Sequence, residues 1–215
     1  MGETTGTAFS VKRKNEIFSF AFRGQIRIVW PRTMMTKRAV FLDRDGTLNE
    51  EKEYLSDPDR LVLFPGVGPA LLRLRRAGFL LFVVTNQSGI GRGYYTLADM
   101  HRVNERLLAR LATEGVDFAR IYFAPESPEQ PSRGRKPSPQ FLWDARDEFG
   151  IDLARSYMVG DKRSDLECGW NAGVARSLLV RTGYGASVEV RDGAALEPAV
   201  IVDDVGAATD WILRT

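Results

Sequence analysis

Two aspartates directly follow an apolar run in the first quarter of the chain. Residues 39–42 read Ala-Val-Phe-Leu, typical of a buried strand, and the run breaks into Asp43 and Asp45, with Gly46 and Thr47 behind them. Side chains two residues apart in an extended segment point the same way, so both carboxylates would project together. Two like charges held close need a cation to stay ionised, and Mg²⁺ suits hard oxygen ligands. The alternative is an ordinary Asp-Gly turn without function.

Polar residues also follow other predicted strands. Thr85 ends the apolar run 79–84, Lys136 stands at the start of a helix, and Asp161 and Asp165 follow another short apolar run. A carboxylate can attack phosphorus to form an aspartyl-phosphate, and a second can protonate the leaving oxygen and later deprotonate water. A hydroxyl, a lysine and a metal ion can neutralise the phosphoryl oxygens. On this interpretation, Asp161 is the distal metal ligand and Asp165 holds Lys136 in place.

Alternating strands and helices must bring these residues together. The predicted strands are 39–42, 79–84, 120–124, 157–159, 177–181 and 199–202. The predicted helices run from Pro65 to Gly78, from Thr96 to about Glu114, from Ser138 and Pro139 to Gly150, through Cys168 and Trp170, and from Asp210 to Arg214. The strands are apolar throughout, which indicates a parallel sheet covered on both faces. The predicted fold class is therefore α/β, a doubly wound, Rossmann-like parallel sheet.

The spacing of the candidate residues leaves no room for a cap domain. Asp43 and Thr85 are 42 positions apart, and Thr85 and Lys136 are 51 apart. One loop, helix and strand fill the first interval, and a long helix, a strand and a loop fill the second. We therefore predict a capless fold with an open site, whose specificity is set by short loops.

Composition narrows the remaining classes. The chain has 215 residues, one cysteine and one histidine, and no apolar run approaches the roughly 20 residues of a membrane span. A single cysteine excludes an internal disulfide and fits a reducing compartment, so we expect a cytoplasmic protein without membrane partners. Residues 1–36 are basic and the remainder carries a net charge of −2, so nucleic-acid binding is not expected. We also expect a monomer.

Residues 1–36 differ in pattern from residues 37–215, the predicted catalytic domain. Residues 17–30 favour a strand or hairpin around Gly24, and Met34 and Met35 stand just before the first clear strand. We interpret residues 1–36 as an N-terminal extension, either disordered or upstream of the true start.

The ordered motifs resemble the haloacid dehalogenase (HAD) superfamily of phosphatases. The resemblance covers residues 37–185 and rests on Asp43-Arg-Asp-Gly-Thr47, Thr85, Lys136 and Gly160-Asp161 with Asp165. More narrowly, Phe41-Leu-Asp-Arg-Asp-Gly-Thr-Leu-Asn49, Thr85-Asn-Gln-Ser-Gly-Ile-Gly-Arg-Gly93, Arg135-Lys136-Pro137 and Tyr157-Met-Val-Gly-Asp-Lys162 look like the D-glycero-D-manno-heptose 1,7-bisphosphate phosphatase and histidinol-phosphatase branch.

The resemblance implies a role for each matched residue. Asp43 would be the nucleophile, Asp45 the general acid/base, and Asp43, the Asp45 carbonyl and Asp161 the Mg²⁺ ligands. Thr85 and Lys136 would stabilise the phosphoryl group. The residues implied in substrate binding are Glu51, Tyr54, Asn86, Gln87, Ser88, Arg135 and Lys162.

The expected activity is Mg²⁺-dependent hydrolysis of a phosphomonoester. The expected substrate is a small phosphorylated sugar, a heptose bisphosphate that loses its C7 phosphate during synthesis of nucleotide-activated heptose. The alternatives are a histidinol-phosphate phosphatase, a polynucleotide 3'-phosphatase and a non-catalytic phosphate-binding protein.

The chain departs from this branch in one loop. Members usually carry a Cys-x-His and a Cys-x-Cys pair that bind zinc, but the matching positions here read Ala124-Pro-Glu126 and Ser132-Arg-Gly134. Thiolate and imidazole ligands are absent from these positions, so no structural zinc is expected. Metal analysis of the purified protein should find no stoichiometric zinc, and one tightly bound equivalent would contradict this prediction.

Overall fold

Six parallel strands form the central sheet in the computed structural model, which describes residues 18–22, 25–29 and 36–215. The strands of this sheet are β3 (Arg38–Leu42), β4 (Phe79–Asn86), β5 (Arg120–Ala124), β6 (Tyr157–Gly160), β7 (Arg176–Val180) and β8 (Val200–Val202). Their spatial order is β5-β4-β3-β6-β7-β8, with every neighbouring pair parallel.

Helices cover both faces of the sheet. They are α1 (Val67–Arg76), α2 (Ser88–Gly91), α3 (Leu97–Ala112), α4 (Gln140–Phe149), α5 (Arg163–Ala172), α6 (Gly185–Asp192) and α7 (Val205–Arg214). Short 3₁₀ turns occupy Pro58–Arg60, Leu153–Arg155 and Gly193–Leu196. The predicted doubly wound α/β fold is confirmed.

Strand β3 shows why its sequence is apolar from Ala39 to Leu42. Val40 and Leu42 belong to the core that α1, α3 and α7 complete on one face. Ala39 and Phe41 belong to the core under α4 and α5 on the other face. Because side chains alternate across a strand, a strand buried on both faces has no position left for a polar residue.

The order of the strands places the site. The chain moves from β3 outward through β4 to β5, and then returns to add β6 on the opposite side of β3. The carboxyl ends of β3 and β6 therefore flank the point where the strand order reverses. Clefts in open α/β sheets form at such points, and Asp43 and Asp161 directly follow these two strands.

The N-terminal segment contains two further strands. β1 (Phe18–Phe22) and β2 (Gln25–Val29) pair in antiparallel register, so the predicted hairpin is confirmed as a strand pair. Gly24 and the two methionines before β3 lie outside the described residues. The interpretation of residues 1–36 as an extension stays a prediction.

Several predicted helix boundaries are wrong for local reasons. α1 begins at Val67 instead of Pro65, because Gly66 before it adopts a left-handed conformation with φ of 77°. α4 begins at Gln140 instead of Pro139. The closing helix begins at Val205, five residues before the predicted start at Asp210. It begins there because the Asp204 side chain caps the helix by accepting a hydrogen bond from the Ala207 amide.

The segment between Asp45 and α1 packs against the core. Asn49 and Leu55 are buried, and a 3₁₀ turn closes the segment. The loop therefore folds onto the core and lines the cleft. Among the described residues, none of the helices has both the length and the apolar character needed to span a bilayer.

Replacing Phe82 tests the aromatic core under α4. Its buried ring stacks on Phe41 at 5.1 Å between centroids and meets Phe149 edge-on at 5.1 Å. Phe82→Ala should lower the free energy of unfolding by about 3–5 kcal/mol, measured by urea denaturation, because it leaves a cavity. The control is Val190→Ala at an exposed position, expected within about 0.5 kcal/mol of wild type. Equal stability of the two variants would contradict the prediction.

Candidate active site

A buried lysine links two of the predicted aspartates. Lys136 Nζ lies 2.8 Å from Asp43 Oδ1 and 2.6 Å from Asp165 Oδ1, and it donates to the Val84 carbonyl at 2.7 Å. Burial alone would lower the pKa of Lys136, but Asp165 and Asp43 outweigh it and raise the pKa above its usual value. The ammonium is therefore held charged beside Asp43.

The main chain of this lysine is fixed from β4. The Asn86 side chain donates to the Lys136 carbonyl at 3.1 Å and accepts from the Lys136 amide at 2.9 Å. This pair of hydrogen bonds fastens the segment before α4 to the carboxyl end of a central strand. Asn86, expected to bind substrate, therefore positions the lysine and also lines the cleft.

Asp161 lies beside Asp43 and Asp165 and offers a carboxylate oxygen that could bind a cation. Oxygens of Asp43, Asp161 and Asp165 lie within 4.8 Å of one another, and all three residues are buried. Asp161 Oδ2 accepts from the Tyr184 amide at 2.8 Å, while the buried Oδ1 has no hydrogen-bond partner among the residues that the structure describes. Burial and the nearby Asp43 charge raise the pKa of Asp161 to about 8. A divalent cation would satisfy the orphan oxygen and offset the repulsion.

The tight turn after β3 is shaped to fit Asp161. Gly46 has φ of +86°, and a Cβ built on it would lie 2.2 Å from Asp161 Oδ2. Any side chain at this position would collide with the carboxylate. The glycine after Asp45 is thus required by the close approach of the β3 turn to Asp161.

The Asp45 side chain points into a polar network instead of toward the other carboxylates. Arg44 donates to it from Nη2 at 2.8 Å, Asn49 from Nδ2 at 3.0 Å, and Gln87 from Nε2 at 2.9 Å. Burial would raise the pKa of Asp45, but these donors, above all Arg44, hold it below its usual value. Any metal contact of Asp45 would therefore come from its main chain, as the resemblance implies.

The cleft has a volume of about 400 Å³ and a charged rim. Lys162 Nζ lies 3.0 Å from Glu51 Oε2 and 4.9 Å from the centre of the Tyr184 ring. Burial would lower the pKa of Lys162, but Asp43, Asp161 and Glu51 raise it. Tyr54 contributes a half-exposed ring from a left-handed backbone conformation with φ of 61°.

The structure groups most of the predicted substrate-binding residues around this cleft. Those that line it are Glu51, Tyr54, Asn86, Gln87, Ser88 and Lys162. Arg135 is not among the lining residues, because its guanidinium turns back to the Glu126 carbonyl at 3.2 Å. Gln87 is almost completely buried, and its Nε2 donates to Thr85 Oγ1 at 2.8 Å. It therefore holds the Thr85 hydroxyl in place from the core side of the cleft.

Sequence reasoning missed two groups of residues. Arg44, between the two aspartates, is fully buried and pairs with Asp45. Its position between them in the motif was the signal that could have suggested the ion pair. Tyr184 lies in the loop after β7, and none of the predicted site residues lies at that strand end. Thr182 fastens this loop by donating to the Gly46 carbonyl at 2.7 Å.

Comparisons with known proteins agree with this geometry. The HAD-hydrolase-like family matches residues 134–208. The chain is 42% identical over 184 residues to the Escherichia coli (strain K12) D-glycero-beta-D-manno-heptose-1,7-bisphosphate 7-phosphatase, covering 82% of this chain and 88% of the relative. It is 39% identical over 171 residues to the D-glycero-alpha-D-manno-heptose-1,7-bisphosphate 7-phosphatase of Burkholderia mallei (strain ATCC 23344), covering 74% and 90%.

A solved structure extends the likeness to three dimensions. The crystal structure of D,D-heptose 1,7-bisphosphate phosphatase from B. bronchiseptica, complexed with magnesium and phosphate, has a TM-score of 0.77 and 30% sequence identity. The match covers 82% of this chain and 98% of that chain. The buried aspartates, the lysine between two of them and these relatives lead to one conclusion: the chain belongs to the haloacid dehalogenase superfamily of phosphatases.

Proposed function

We propose that this phosphatase removes the C7 phosphate of a D-glycero-D-manno-heptose 1,7-bisphosphate through an aspartyl-phosphate intermediate. The observation that carries the chemistry is the Lys136 ammonium between Asp43 and Asp165, next to the unpartnered Asp161 oxygen. The relatives at 39–42% identity support the substrate, since both are named for a heptose bisphosphate.

The two aspartates after β3 take different parts in the reaction. An Asp43 oxygen attacks phosphorus, the bond to the leaving oxygen breaks with its electron pair, and that oxygen takes a proton from the Asp45 carboxyl, which the negative charge of the bound phosphate keeps protonated against the effect of Arg44. Water then attacks the phosphorus of the aspartyl-phosphate and gives a proton to Asp45. Inorganic phosphate leaves, and the Asp43 carboxylate is restored.

A cation and a hydrogen-bond donor in the cleft would stabilise the transferring phosphoryl group. Lys136 and the Thr85 hydroxyl lie beside Asp43 at the carboxyl ends of the central strands. Bound Mg²⁺, held by Asp43, Asp161 and the Asp45 carbonyl, would supply further positive charge to the phosphoryl oxygens. Asp165 keeps Lys136 in position through the 2.6 Å ion pair.

The rim would recognise the rest of the substrate. Lys162, Glu51 and Tyr184 combine a cation, an acceptor and an aromatic face at the cleft. This combination suits a phosphorylated polyol, whose hydroxyl groups need donors and acceptors. We further propose that the enzyme works as a cytoplasmic monomer, without zinc and without a nucleic-acid partner.

Replacing the nucleophile tests the chemistry. Asp43→Asn should lower kcat by more than about a thousandfold, because an amide cannot form the aspartyl-phosphate. The measurement is steady-state phosphate release at saturating Mg²⁺. Asp210→Asn, a half-exposed carboxylate on α7, is the control and should retain wild-type turnover. Unchanged turnover in Asp43→Asn would mean that the activity is carried elsewhere.

A substrate panel tests the specificity. Phosphate release from heptose 1,7-bisphosphate, histidinol phosphate and a 3'-phosphorylated oligonucleotide should give the highest kcat/KM for the bisphosphate. We expect a preference of at least about tenfold, as for sites that pair buried polar groups with substrate hydroxyls. A higher kcat/KM for either other compound would replace the proposed substrate while leaving the phosphatase chemistry intact.

A further inference from the structure

A chain of buried hydrogen bonds connects helix α3 to the acid/base aspartate. Arg44 is completely buried, and its guanidinium reaches three side chains. Nη2 donates to Asp45 Oδ2 at 2.8 Å and to Gln87 Oε1 at 3.0 Å, while Nη1 donates to Asn104 Oδ1 at 2.7 Å. The planar fork of an arginine fixes the directions of these bonds relative to one another.

Asn104 is an unusual residue for its place in the fold. It lies on the buried stripe of α3, beside Met100, Val103 and Leu107, and only 5% of its surface is exposed. An amide there must find hydrogen-bond partners, since an unpaired buried amide is costly. It finds them in Arg44 and in the Met100 sulfur, which its Nδ2 contacts at 2.8 Å.

The other end of this chain orients Asp45. Arg44 Nε lies 3.2 Å from Asp45 Oδ1 and 3.1 Å from Oδ2, so the guanidinium faces the carboxylate edge-on. Gln87 bonds the same carboxylate, and the Tyr95 hydroxyl donates to Gln87 Oε1 at 2.7 Å. The direction of the Asp45 carboxylate therefore depends on where Arg44 and Gln87 are held.

We propose that Asn104 is a positioning residue that fixes the Asp45 carboxyl for proton transfer by anchoring Arg44. Asn104 is not among the residues that line the cleft, so it acts through the guanidinium alone. The inference rests on the proposed role of Asp45 as general acid, and it assigns a part in the reaction to a helix that carries no cleft carboxylate.

Proton transfer to the leaving oxygen gives this role a specific signature. Cleavage of an alkyl phosphate releases a strongly basic alkoxide, which needs a proton from Asp45 as it leaves. Cleavage of p-nitrophenyl phosphate releases a weakly basic nitrophenolate, which needs little assistance. A misplaced Asp45 should therefore slow the alkyl substrate much more than the aryl substrate, whereas a general loss of structure should slow both equally.

The test compares Asn104→Leu with wild type on these two classes of substrate. The leucine keeps the size of the side chain but removes the acceptor for Arg44 Nη1. We expect kcat on a sugar phosphate cleaved by the wild type to fall by about ten- to a hundredfold, with KM little changed. On p-nitrophenyl phosphate, we expect kcat to fall by no more than about twofold. An equal fall on both substrates, or no fall, would overturn the inference.

Matched variants separate position from stability. Leu107→Ala removes packing from the same stripe of α3 and should lower the melting temperature while leaving the ratio of the two rates unchanged. Asn104→Asp keeps an acceptor oxygen and should restore the ratio toward wild type. If Asn104→Leu does not fold, Asn104→Ser makes the same comparison, because its hydroxyl is too short for the 2.7 Å contact.

Asp45→Asn distinguishes failure of this inference from failure of the proposed chemistry. Asp45→Asn should lower kcat on the alkyl substrate selectively, as Asn104→Leu does, but by a larger factor. If Asp45→Asn slows both substrates equally, Asp45 is not the acid and the proposed chemistry fails. If Asp45→Asn is selective and Asn104→Leu is not, the chemistry stands and the role of Asn104 is wrong.

Discussion

The site depends on an imbalance of buried charge. Asp43, Asp161 and Asp165 lie within 4.8 Å of one another, and Lys136 is the ammonium that contacts two of them. Three carboxylates beside one ammonium repel one another in a setting that water does not screen. Burial, together with repulsion from the Asp43 carboxylate, raises the pKa of Asp161 to about 8. A divalent cation would restore the balance, so the imbalance favours binding of a cation, and the cation together with Lys136 would then offset the negative charge of a phosphoryl group.

Such an arrangement needs a rigid frame, because each buried charge would otherwise relax toward water. Strands β3 and β6 hydrogen-bond side by side, and the Asp43 amide donates to the Val159 carbonyl at 2.9 Å. The Asp43 main chain is thus tied to the strand that carries Asp161. Asn86 does the same for Lys136 from β4. Cleft side chains that begin at strand ends inherit the rigidity of the two-faced core beneath them.

The sequence predicted the parts of this structure that few residue types can supply. Apolar runs at every strand position can only be buried on both faces, so the parallel sheet followed directly. Asp43 and Asp161 were predicted because carboxylates at the ends of neighbouring strands converge on one cleft, and Lys136 was predicted because it completes the ordered set of motif residues. The helix that begins at Val205 was predicted too short because Val205, Gly206 and Thr209 are weak helix formers, and the Asp204 cap that starts the helix was not recognised. Element boundaries depend on single hydrogen bonds of this kind.

Sequence reasoning missed Arg44 and Asn104, two buried residues that meet in the interior of the fold. In the sequence, Asn104 interrupts an apolar stripe. The residues next to it do not indicate that Arg44, sixty positions earlier, donates to its side-chain oxygen. Arg135 shows the converse, since its motif implied contact with substrate while the folded loop turns it to Glu126. Ser132 strengthens that fold by donating to Glu126 Oε2 at 2.6 Å and accepting from the Arg135 amide at 3.1 Å. The side chains of this loop close it on itself and leave the Arg135 guanidinium on a carbonyl of its own loop, so recognition of substrate by Arg135 requires that the guanidinium exchange this carbonyl for a substrate oxygen.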